Sequence, residues 1–273
     1  MKKIFITGAG GYIGGNLATF LSRKKYQIYC LTTKKKNKLS NTKWIVGKLN
    51  GNYHKYLKQC DLLIHCAAAG VYKRESKKLL NKVNNLDSLK FLKNAYKANC
   101  KNWIILGSSF EYGYSKNKPF SSTKTKLKPI DNYGKSKVKF FKNLKKLKFL
   151  NDCKILYLRV FQVYGGNESK LRMYPSLLDA AKKNKNFKMT QAQEIRDFIH
   201  IKETMKKIYN SIKIFKKNNF FVIKNLATGK GLKVKNFALR LWKEKKAKKR
   251  ILFGALKKNS GYQSMYSDTK SLL

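Results

Sequence analysis

The stretch IFITGAGGYIG, residues 4–14, decides how the rest of this 273-residue chain is interpreted. Its apolar start predicts a buried strand, and Gly8, Gly11 and Gly14 follow with the spacing G-x-x-G-x-x-G. Glycine adopts positive φ and lets backbone approach a ligand closely. A turn that opens a helix also presents unpaired N–H groups, which bind phosphate groups. The stretch therefore predicts a phosphate-binding turn between a strand and a helix, rather than a glycine-rich loop without a ligand.

Apolar runs alternate with amphipathic stretches through the first half of the chain, which is typical of a parallel sheet covered by helices. The predicted strands are residues 3–7, 27–31, 61–66, 102–106 and 154–160, and the predicted helices are residues 14–23, 79–98 and 133–147. Later residues predict a helix at 171–183, a strand at 196–201 and a strand at 220–226. The expected fold is α/β, a Rossmann-type doubly wound parallel sheet over residues 1–165. Residues 166–273 then form a smaller substrate-binding lobe, with segments around 197–227 returning to the sheet.

The composition fits a folded protein without a metal centre. Hydrophobic residues make up 42% of the chain and aromatic residues 13%, enough for a full core. The five cysteines form no C-x-x-C pair and are interpreted as buried free thiols in a reducing cytoplasm. With three histidines and no cluster of histidines and acids, no metal site is expected. No stretch reaches the length of a membrane span, so a soluble, cytoplasmic protein is expected.

The formal net charge is +50, from 63 lysines and arginines against 13 acids. Clustered basic residues bind nucleic-acid phosphates by releasing counterions, so a non-catalytic polyanion-binding protein on a dinucleotide fold is one hypothesis. The lysines are spread along the whole chain, however, and arginine, which reads bases, is scarce. We therefore interpret the surplus as a solvated surface and do not expect nucleic acid as a partner.

A tyrosine and a lysine stand four residues apart in the segment YGKSK, from Tyr133 to Lys137, which places both on one face of a helix. Upstream, LGSSFEYG at residues 106–113 follows a predicted strand and carries serine hydroxyls at its end, for which a capping or turn role is the structural alternative. A free tyrosine has a pKa near ~10, and a nearby ammonium lowers that pKa because it favours the phenolate. The pair therefore predicts proton transfer by Tyr133, assisted by Lys137.

Together, the glycine turn and the Tyr-x-x-x-Lys pair resemble the extended short-chain dehydrogenase/reductases, in the NAD-dependent epimerase/dehydratase family of sugar-nucleotide enzymes. The resemblance implies a nicotinamide-dependent enzyme with the catalytic residues Ser108, Tyr133, Lys137 and Asn84, the last supporting the lysine. The cofactor contacts it implies are Gly8, Gly11, Tyr12, Ile13, Gly14, Thr32, Lys34, Leu49, Cys66, Ala67 and Ala68, together with Tyr133 and Lys137.

The end of the second predicted strand, CLTTKK at residues 30–35, carries no carboxylate. NAD enzymes place an acidic residue there to bind the ribose hydroxyls, whereas NADP enzymes place a cation there. NADP(H) is therefore favoured as the cofactor, with Thr32, Lys34 or Lys35 near its phosphate, and NAD(H) is the alternative. The nearby GKL at residues 47–49 departs from the Gly-Asp pair that the family uses at the adenine.

Two later segments, LRVFQVYG at residues 158–165 and IRDFIH at residues 195–200, resemble hallmark segments of the sugar-nucleotide enzymes. The resemblance implies that Arg196 grips the diphosphate of a nucleotide-sugar substrate, which suits a bidentate guanidinium. It also implies substrate contacts from Ser109 and Gln162. A structural salt bridge between Arg196 and Asp197 is the alternative.

Phe110 stands where the family's 4,6-dehydratases have a carboxylate, so dehydration lacks its acid. Gln162 and the NADP-like strand end resemble the 4-keto-6-deoxyhexose reductases of the family. The expected reaction is NADPH-dependent reduction of a nucleotide-linked 4-keto-6-deoxy sugar, for surface polysaccharide such as lipopolysaccharide. An NAD-dependent sugar-nucleotide 4-epimerase is the alternative. Relatives often dimerise through the two long helices, here residues 79–98 and 133–147, so a homodimer is expected.

Overall fold

A parallel seven-stranded sheet lies at the centre of the computed structural model, which describes residues 3–34, 37–70, 75–116, 118–214, 221–257 and 263–273. In chain order the strands are β1 (Lys3–Thr7), β2 (Gln27–Thr32), β3 (Thr42–Val46), β4 (Leu62–His65), β5 (Asn102–Ser108), β6 (Lys154–Val160), β7 (Gln162–Tyr164), β8 (Phe187–Met189), β9 (Ile195–His200), β10 (Phe221–Leu226), β11 (Gly231–Lys233), β12 (Ile251–Phe253) and β13 (Ser264–Met265). The central sheet has the order β10-β6-β5-β4-β1-β2-β3. Its inner strands are almost continuously apolar because both faces are covered. The predicted Rossmann-type α/β fold is confirmed.

Helices cover both faces of this sheet. In chain order they are α1 (Tyr12–Ser22), α2 (His54–Leu57), α3 (Lys77–Asn81), α4 (Ser88–Lys97), α5 (Asn132–Lys145), α6 (Met173–Lys182), α7 (Ile201–Ile214) and α8 (Val234–Glu244). Successive side chains of a strand point to opposite faces. Ile4 and Ile6 of β1 accordingly pack with α1 and α7, whereas Phe5 between them packs with α4 and α5.

The sequence-predicted elements differ from the observed ones in several places on the sheet and its helices, and helices α2 and α7 were not predicted. Strand β3 was not predicted, because it is an edge strand with mostly exposed or half-buried side chains. The helix predicted at 79–98 is α3, a π-helical turn (Lys82–Asp87) and α4. In that turn the Ser88 hydroxyl donates to the Val83 carbonyl over 2.8 Å. The strand predicted at 220–226 starts on Phe220, which lies outside the described residues, and β10 pairs in parallel with β6.

The later elements build a wall beyond the carboxyl ends of β5 and β6. Strands β7, β11 and β13 all pair with β9, and α6 and α8 pack together through a cluster that contains Leu177 and Leu241. The rings of Phe198 and Phe237 stack with centroids 3.8 Å apart. Within the described ranges, no helix has the length and apolar character that crossing a membrane requires.

Residues 263–273 run back across this wall and join it to the sheet. The backbone N–H of Ser264 donates to the Ser115 carbonyl over 3.0 Å. Met265 is fully buried, and the Asn225 side chain donates to the Ser267 hydroxyl over 2.9 Å. The last described segment is therefore part of the molecular interior.

Candidate active site

Three adjoining cavities follow the carboxyl ends of the central strands. We call them the turn cavity, of about 790 Å³, the tyrosine cavity, of about 360 Å³, and the outer cavity, of about 660 Å³. The first two share Cys66 and Ala68 as walls. The second and third share Phe110, Gln162, Val163 and Arg172. The shared walls connect the three cavities into one row.

The glycine turn forms one wall of the turn cavity and allows no side chain at two positions. Gly8 has φ +64°, and a Cβ there would lie 2.6 Å from the Ala67 Cα. A Cβ at Gly14 would collide with the Gly8 carbonyl oxygen. The Gly11 N–H donates to that carbonyl over 2.9 Å, and Gly11 then caps α1 without a side-chain hydrogen bond. The turn thus brings bare backbone and a helix N-terminus to the cavity, as phosphate binding requires.

The other predicted cofactor contacts fall mainly around the same row. Residues of the turn-cavity wall include Thr32, Lys34, Leu49, Cys66, Ala67 and Ala68. Tyr12 and Ile13 line the tyrosine cavity instead, and the Tyr12 hydroxyl donates to the Gly165 carbonyl over 2.6 Å. Lys48 and Lys82 also line the turn cavity, and Lys82 pairs there with the Asp87 carboxylate at 2.8 Å. Lys35 lies outside the described residues.

Ser108, Tyr133 and Lys137 line the tyrosine cavity together. Helix α5 starts there because the Asp131 carboxylate accepts the Gly134 N–H over 2.6 Å. The Lys137 side chain is almost fully buried, and its ammonium donates to the Leu106 carbonyl over 2.7 Å. Burial lowers the pKa of Lys137, and the nearby Glu111 carboxylate opposes that shift. The structure therefore brings the predicted serine, tyrosine and lysine to one cavity.

Asn84 is buried behind the tyrosine cavity and contacts a loop and a helix. Its side chain accepts the Ala69 N–H over 2.7 Å, and it donates to the Ala69 carbonyl and to the Ser136 hydroxyl. Asn84 therefore fixes the strand β4 exit against α5, next to Lys137. Direct support of the lysine by Asn84 stays a prediction.

Ser109 is not brought to a cavity wall. It is almost fully buried, and its hydroxyl donates to the Met265 sulfur over 3.0 Å. The reason is the short 3₁₀ turn Ser109–Glu111, which follows β5 and turns this side chain inward. Phe110, the next residue, lines both the tyrosine and outer cavities, and its ring meets that of Tyr133 edge to face at 6.1 Å. The predicted substrate contact of Ser109 thus has no support from this placement.

Arg196 and Gln162 do line the outer cavity. The Arg196 guanidinium donates to the carbonyls of Ile195 and Gln263, and burial lowers its pKa. The Asp197 carboxylate instead accepts the backbone N–H groups of Thr228 and Gly229, each over 2.8 Å. Asp197 is therefore engaged in holding a turn.

Sequence reasoning missed Arg172, which stands at the junction of the tyrosine and outer cavities. It pairs with the Glu168 carboxylate at 2.6 Å and donates to the Gln162 side-chain oxygen over 3.4 Å. The i,i+4 spacing from Glu168 was the only signal in the sequence. Arg172 thus adds a second guanidinium to the path between the two cavities.

Sequence reasoning also missed two buried groups beneath the tyrosine cavity. His65 bridges Thr7 and Ser88 through its two ring nitrogens, and burial lowers its pKa to about 3, so the ring is neutral at pH 7. Glu111 is fully buried and pairs with Arg159 at 2.8 Å. Residue type alone did not predict their burial, because glutamate is mostly exposed in proteins and histidine is intermediate.

Comparison with known proteins gives a consistent family. A model of the NAD dependent epimerase/dehydratase family matches residues 4–221. The chain is 22% identical to CDP-abequose synthase of Salmonella typhimurium over 254 residues, covering 88% of this chain and 80% of that protein. It is 25% identical to GDP-6-deoxy-D-talose 4-dehydrogenase of Aggregatibacter actinomycetemcomitans over 236 residues, covering 85% of this chain and 76% of that protein.

Solved structures share the fold. MoeE5 in complex with UDP-glucuronic acid and NAD superposes with a TM-score of 0.86 at 18% identity, covering 98% of this chain and 91% of that one. The UDP-N-acetylglucosamine 4-epimerase from Methanobrevibacter ruminantium M1 also gives 0.86, at 20% identity, covering 98% of this chain and 89% of that one. With the family match over most of its length, the chain belongs to the NAD-dependent epimerase/dehydratase family, and it is an NAD(P)-dependent sugar-nucleotide enzyme of the extended short-chain dehydrogenase/reductase type.

Proposed function

We propose that this protein reduces a nucleotide-linked 4-keto-6-deoxy sugar at the expense of NADPH. The observation that carries the proposal is the wall of the tyrosine cavity, where the Phe110 ring stands beside Ser108, Tyr133 and Lys137. The Asp131 carboxylate of the same wall is engaged in capping α5, where it accepts the Gly134 N–H. A proton donor and a hydroxyl suffice for reduction of a carbonyl, whereas elimination of water requires a further acid or base. The similarity to CDP-abequose synthase supports the same reaction class.

A nicotinamide dinucleotide fits the row of cavities. The bare backbone at Gly8 and the start of α1 would hold its pyrophosphate. Thr32 and Lys34 would face the adenosine ribose; with no carboxylate at this strand end, they favour the 2′-phosphate of NADP(H), and NAD(H) is the alternative. Lys137 would bind the nicotinamide ribose. When bound, the nicotinamide supplies the hydride.

Side chains of the protein then donate the proton and stabilise the negative charge. Tyr133 donates its phenolic proton to the oxygen at sugar C4 as that oxygen becomes an alkoxide. Ser108 donates a hydrogen bond to the same oxygen and orients the carbonyl. The Lys137 ammonium, held on the Leu106 carbonyl, stabilises the phenolate that Tyr133 leaves behind.

The outer cavity would hold the nucleotide diphosphate. Arg196 and Arg172 supply two guanidinium groups there, and a guanidinium matches phosphate oxygens in pairs. Gln162 lies between the outer and tyrosine cavities, where the sugar would pass. Arg172 is thus proposed as a substrate contact beside Gln162 and Arg196.

We place this reaction in the cytoplasm, in the supply of nucleotide sugars for surface polysaccharide, and retain the homodimer through α4 and α5 as a proposal. Exposed lysines such as Lys135, Lys139 and Lys142 line α5, so a dimer through this face would tighten as salt screens their repulsion. Sedimentation at low and high salt tests it: a single monomer species under both conditions would contradict the dimer.

The test of the reaction mixes the protein with NADPH and a panel of nucleotide-linked 4-keto-6-deoxy sugars, and follows nicotinamide absorbance and sugar products together. Loss of absorbance with a new 4-hydroxy sugar supports the reductase, and Tyr133→Phe serves as the inactive control. Binding of the sugars without reduction contradicts it. The 4-epimerase is then tested with 4-hydroxy sugars and NAD.

A further inference from the structure

Glu111 is fully buried beneath the residues that line the tyrosine cavity. Its Oε1 accepts the Ser108 N–H over 2.9 Å and the Tyr157 hydroxyl over 2.8 Å. Its Oε2 accepts the Arg159 Nε–H over 2.8 Å. A carboxylate removed from water is costly unless it is paired and hydrogen-bonded, and these three donors meet that requirement. Glu111 is absent from the described walls of the three cavities, so it has no direct contact with the proposed substrate.

Glu111 and Lys137 hold the same strand end from two of its backbone groups. The carboxylate binds the Ser108 N–H, while the ammonium binds the Leu106 carbonyl two residues earlier. Gly107 between them leaves no room for a side chain, because a Cβ there would lie 2.6 Å from the Glu111 Oε1. The position of Ser108 therefore depends on the Glu111 side chain as well as on the sheet.

Charge links Glu111 to Lys137 as well. Burial lowers the pKa of the Lys137 ammonium. The Glu111 carboxylate has the largest opposing effect on that pKa, and Cys66 has the next largest. Other titratable groups near Lys137 include His65 of β4, which is neutral at pH 7, and Tyr133, one turn earlier on α5. Asp131, the cap of α5, lines the same cavity as Lys137, and Arg159 is the cation paired directly with Glu111. Among these neighbours, Glu111 is the group placed to balance the buried ammonium.

We propose that Glu111 is a positioning residue for the reaction: its carboxylate fixes the Ser108 backbone and supplies the negative charge that balances buried Lys137. The inference rests on the proposed proton transfer by Tyr133 and Lys137. Glu111 acts through these residues and through Ser108, and Arg159 and Tyr157 hold its carboxylate in place.

The test needs no sugar substrate. The full chain is labelled with [¹³Cζ]tyrosine and saturated with NADP⁺, and the Tyr133 signal is assigned with Tyr133→Phe. In Glu111→Gln, which keeps the side-chain shape but loses the charge, the Tyr133–Lys137 pair should release its first proton about one pH unit lower than in the wild type. The matched control Tyr157→Phe removes the hydrogen bond to Glu111 but leaves the charge of the Glu111 carboxylate. The titration midpoint of the Tyr133 signal should therefore be the same as in the wild type. An unchanged midpoint in Glu111→Gln, or an equal shift in both variants, overturns the charge role.

Glu111→Asp separates position from charge and protects the test if Glu111→Gln fails to fold. The shorter side chain keeps the charge but withdraws from the Ser108 N–H. The midpoint should therefore stay, while kcat for 4-keto sugar reduction falls about tenfold or more with KM little changed. The proposal is contradicted if the titration midpoint of the Tyr133 signal moves by a full pH unit in Glu111→Asp, or if kcat is unchanged. If no sugar on the panel is reduced, the proposed function fails while the nuclear magnetic resonance result still decides on Glu111.

Discussion

Helix α5 carries lysine on two sides, and the two sides use it differently. On the inner side, Lys137 is almost fully buried, donates to a backbone carbonyl and has the Glu111 carboxylate nearby. On the outer side, Lys135, Lys139 and Lys142 are exposed to solvent. The same residue type is thus a site component on one side and a solvated charge on the other. Burial and partners, rather than the number of lysines, distinguish the two.

The acidic residues also divide into a buried group and an exposed group. The chain has 13 acids against 63 basic residues, yet several of them are buried beside the cavities. Glu168 and Glu194 line the outer cavity, and Glu111 lies under the tyrosine cavity. A net charge of +50 therefore describes the surface, while the interior keeps a local balance of charge.

The largest expected effect separates a tyrosine of the site from one on the surface. Tyr133→Phe should lower kcat about 10³-fold, because the proton donor is lost, while the affinity for NADPH stays within a small factor. Tyr56→Phe, remote from the cavities, should leave kcat unchanged. Steady-state kinetics with cofactor titration measures both. Near-normal turnover by Tyr133→Phe would remove the proton-donor role.

The next effect compares a buried ion pair with an exposed one. Arg159→Met leaves Glu111 buried without its cation and should lower the free energy of unfolding by about 3–5 kcal/mol. Asp87→Asn breaks the pair with Lys82, whose side chain is 53% exposed, and should cost at most about 1 kcal/mol. Urea unfolding of both variants gives the two values. Similar losses in the free energy of unfolding would show that burial does not make one ion pair contribute more to stability than the other.

A smaller effect depends on pH and on the buried imidazole of His65. Its pKa is lowered from 6.5 to about 3 in the folded chain, so below pH 6.5 only the unfolded chain protonates it. Stability is therefore lost as the pH falls, by about 2 kcal/mol between pH 7 and pH 5 from this residue. His65→Asn should reduce the dependence by that amount, and His54→Gln, an exposed control, should not. Equal pH dependences for wild type and His65→Asn would contradict the assignment.

The smallest effect concerns the backbone conformation at Lys246, a residue with positive φ. Lys246 follows the last turn of α8 with φ +50°, where the next N–H, of Ala247, donates back to the Trp242 carbonyl over 3.3 Å. This left-handed position favours glycine, so Lys246→Gly should raise the free energy of unfolding by about 1 kcal/mol. Lys245→Gly, one residue earlier with φ −85°, should lower it instead. Thermal unfolding distinguishes the two signs.

The sequence was sufficient where local patterns carry the information. The glycine turn, the strand that precedes it and the Tyr133–Lys137 spacing each follow from short-range rules, and the fold and family they predicted are confirmed. The edge strand β3 was missed because half-exposed positions blur its apolar alternation.

The partners of the site were not predictable in this way, because they come from distant parts of the chain. Glu111 meets Arg159 from 48 positions later, and His65 meets Thr7 from 58 positions earlier. Ser109 shows the reverse case: a motif position implied a substrate contact, which stays a prediction, and the 3₁₀ turn directs the hydroxyl to Met265. Such pairings depend on tertiary packing, which a single sequence does not display.

The return of residues 263–273 to the sheet has a consequence for biosynthesis. The Tyr112 hydroxyl, which accepts a hydrogen bond from Arg159, donates to Asn225, and Asn225 in turn donates to the Ser267 hydroxyl. A nascent chain can pair β1, β2 and β4 as soon as those strands leave the ribosome. The polar network that ends on Ser267 closes only after residue 267 has emerged. A growing chain can thus pair its first strands well before the network that joins Tyr112, Asn225 and Ser267 is able to form.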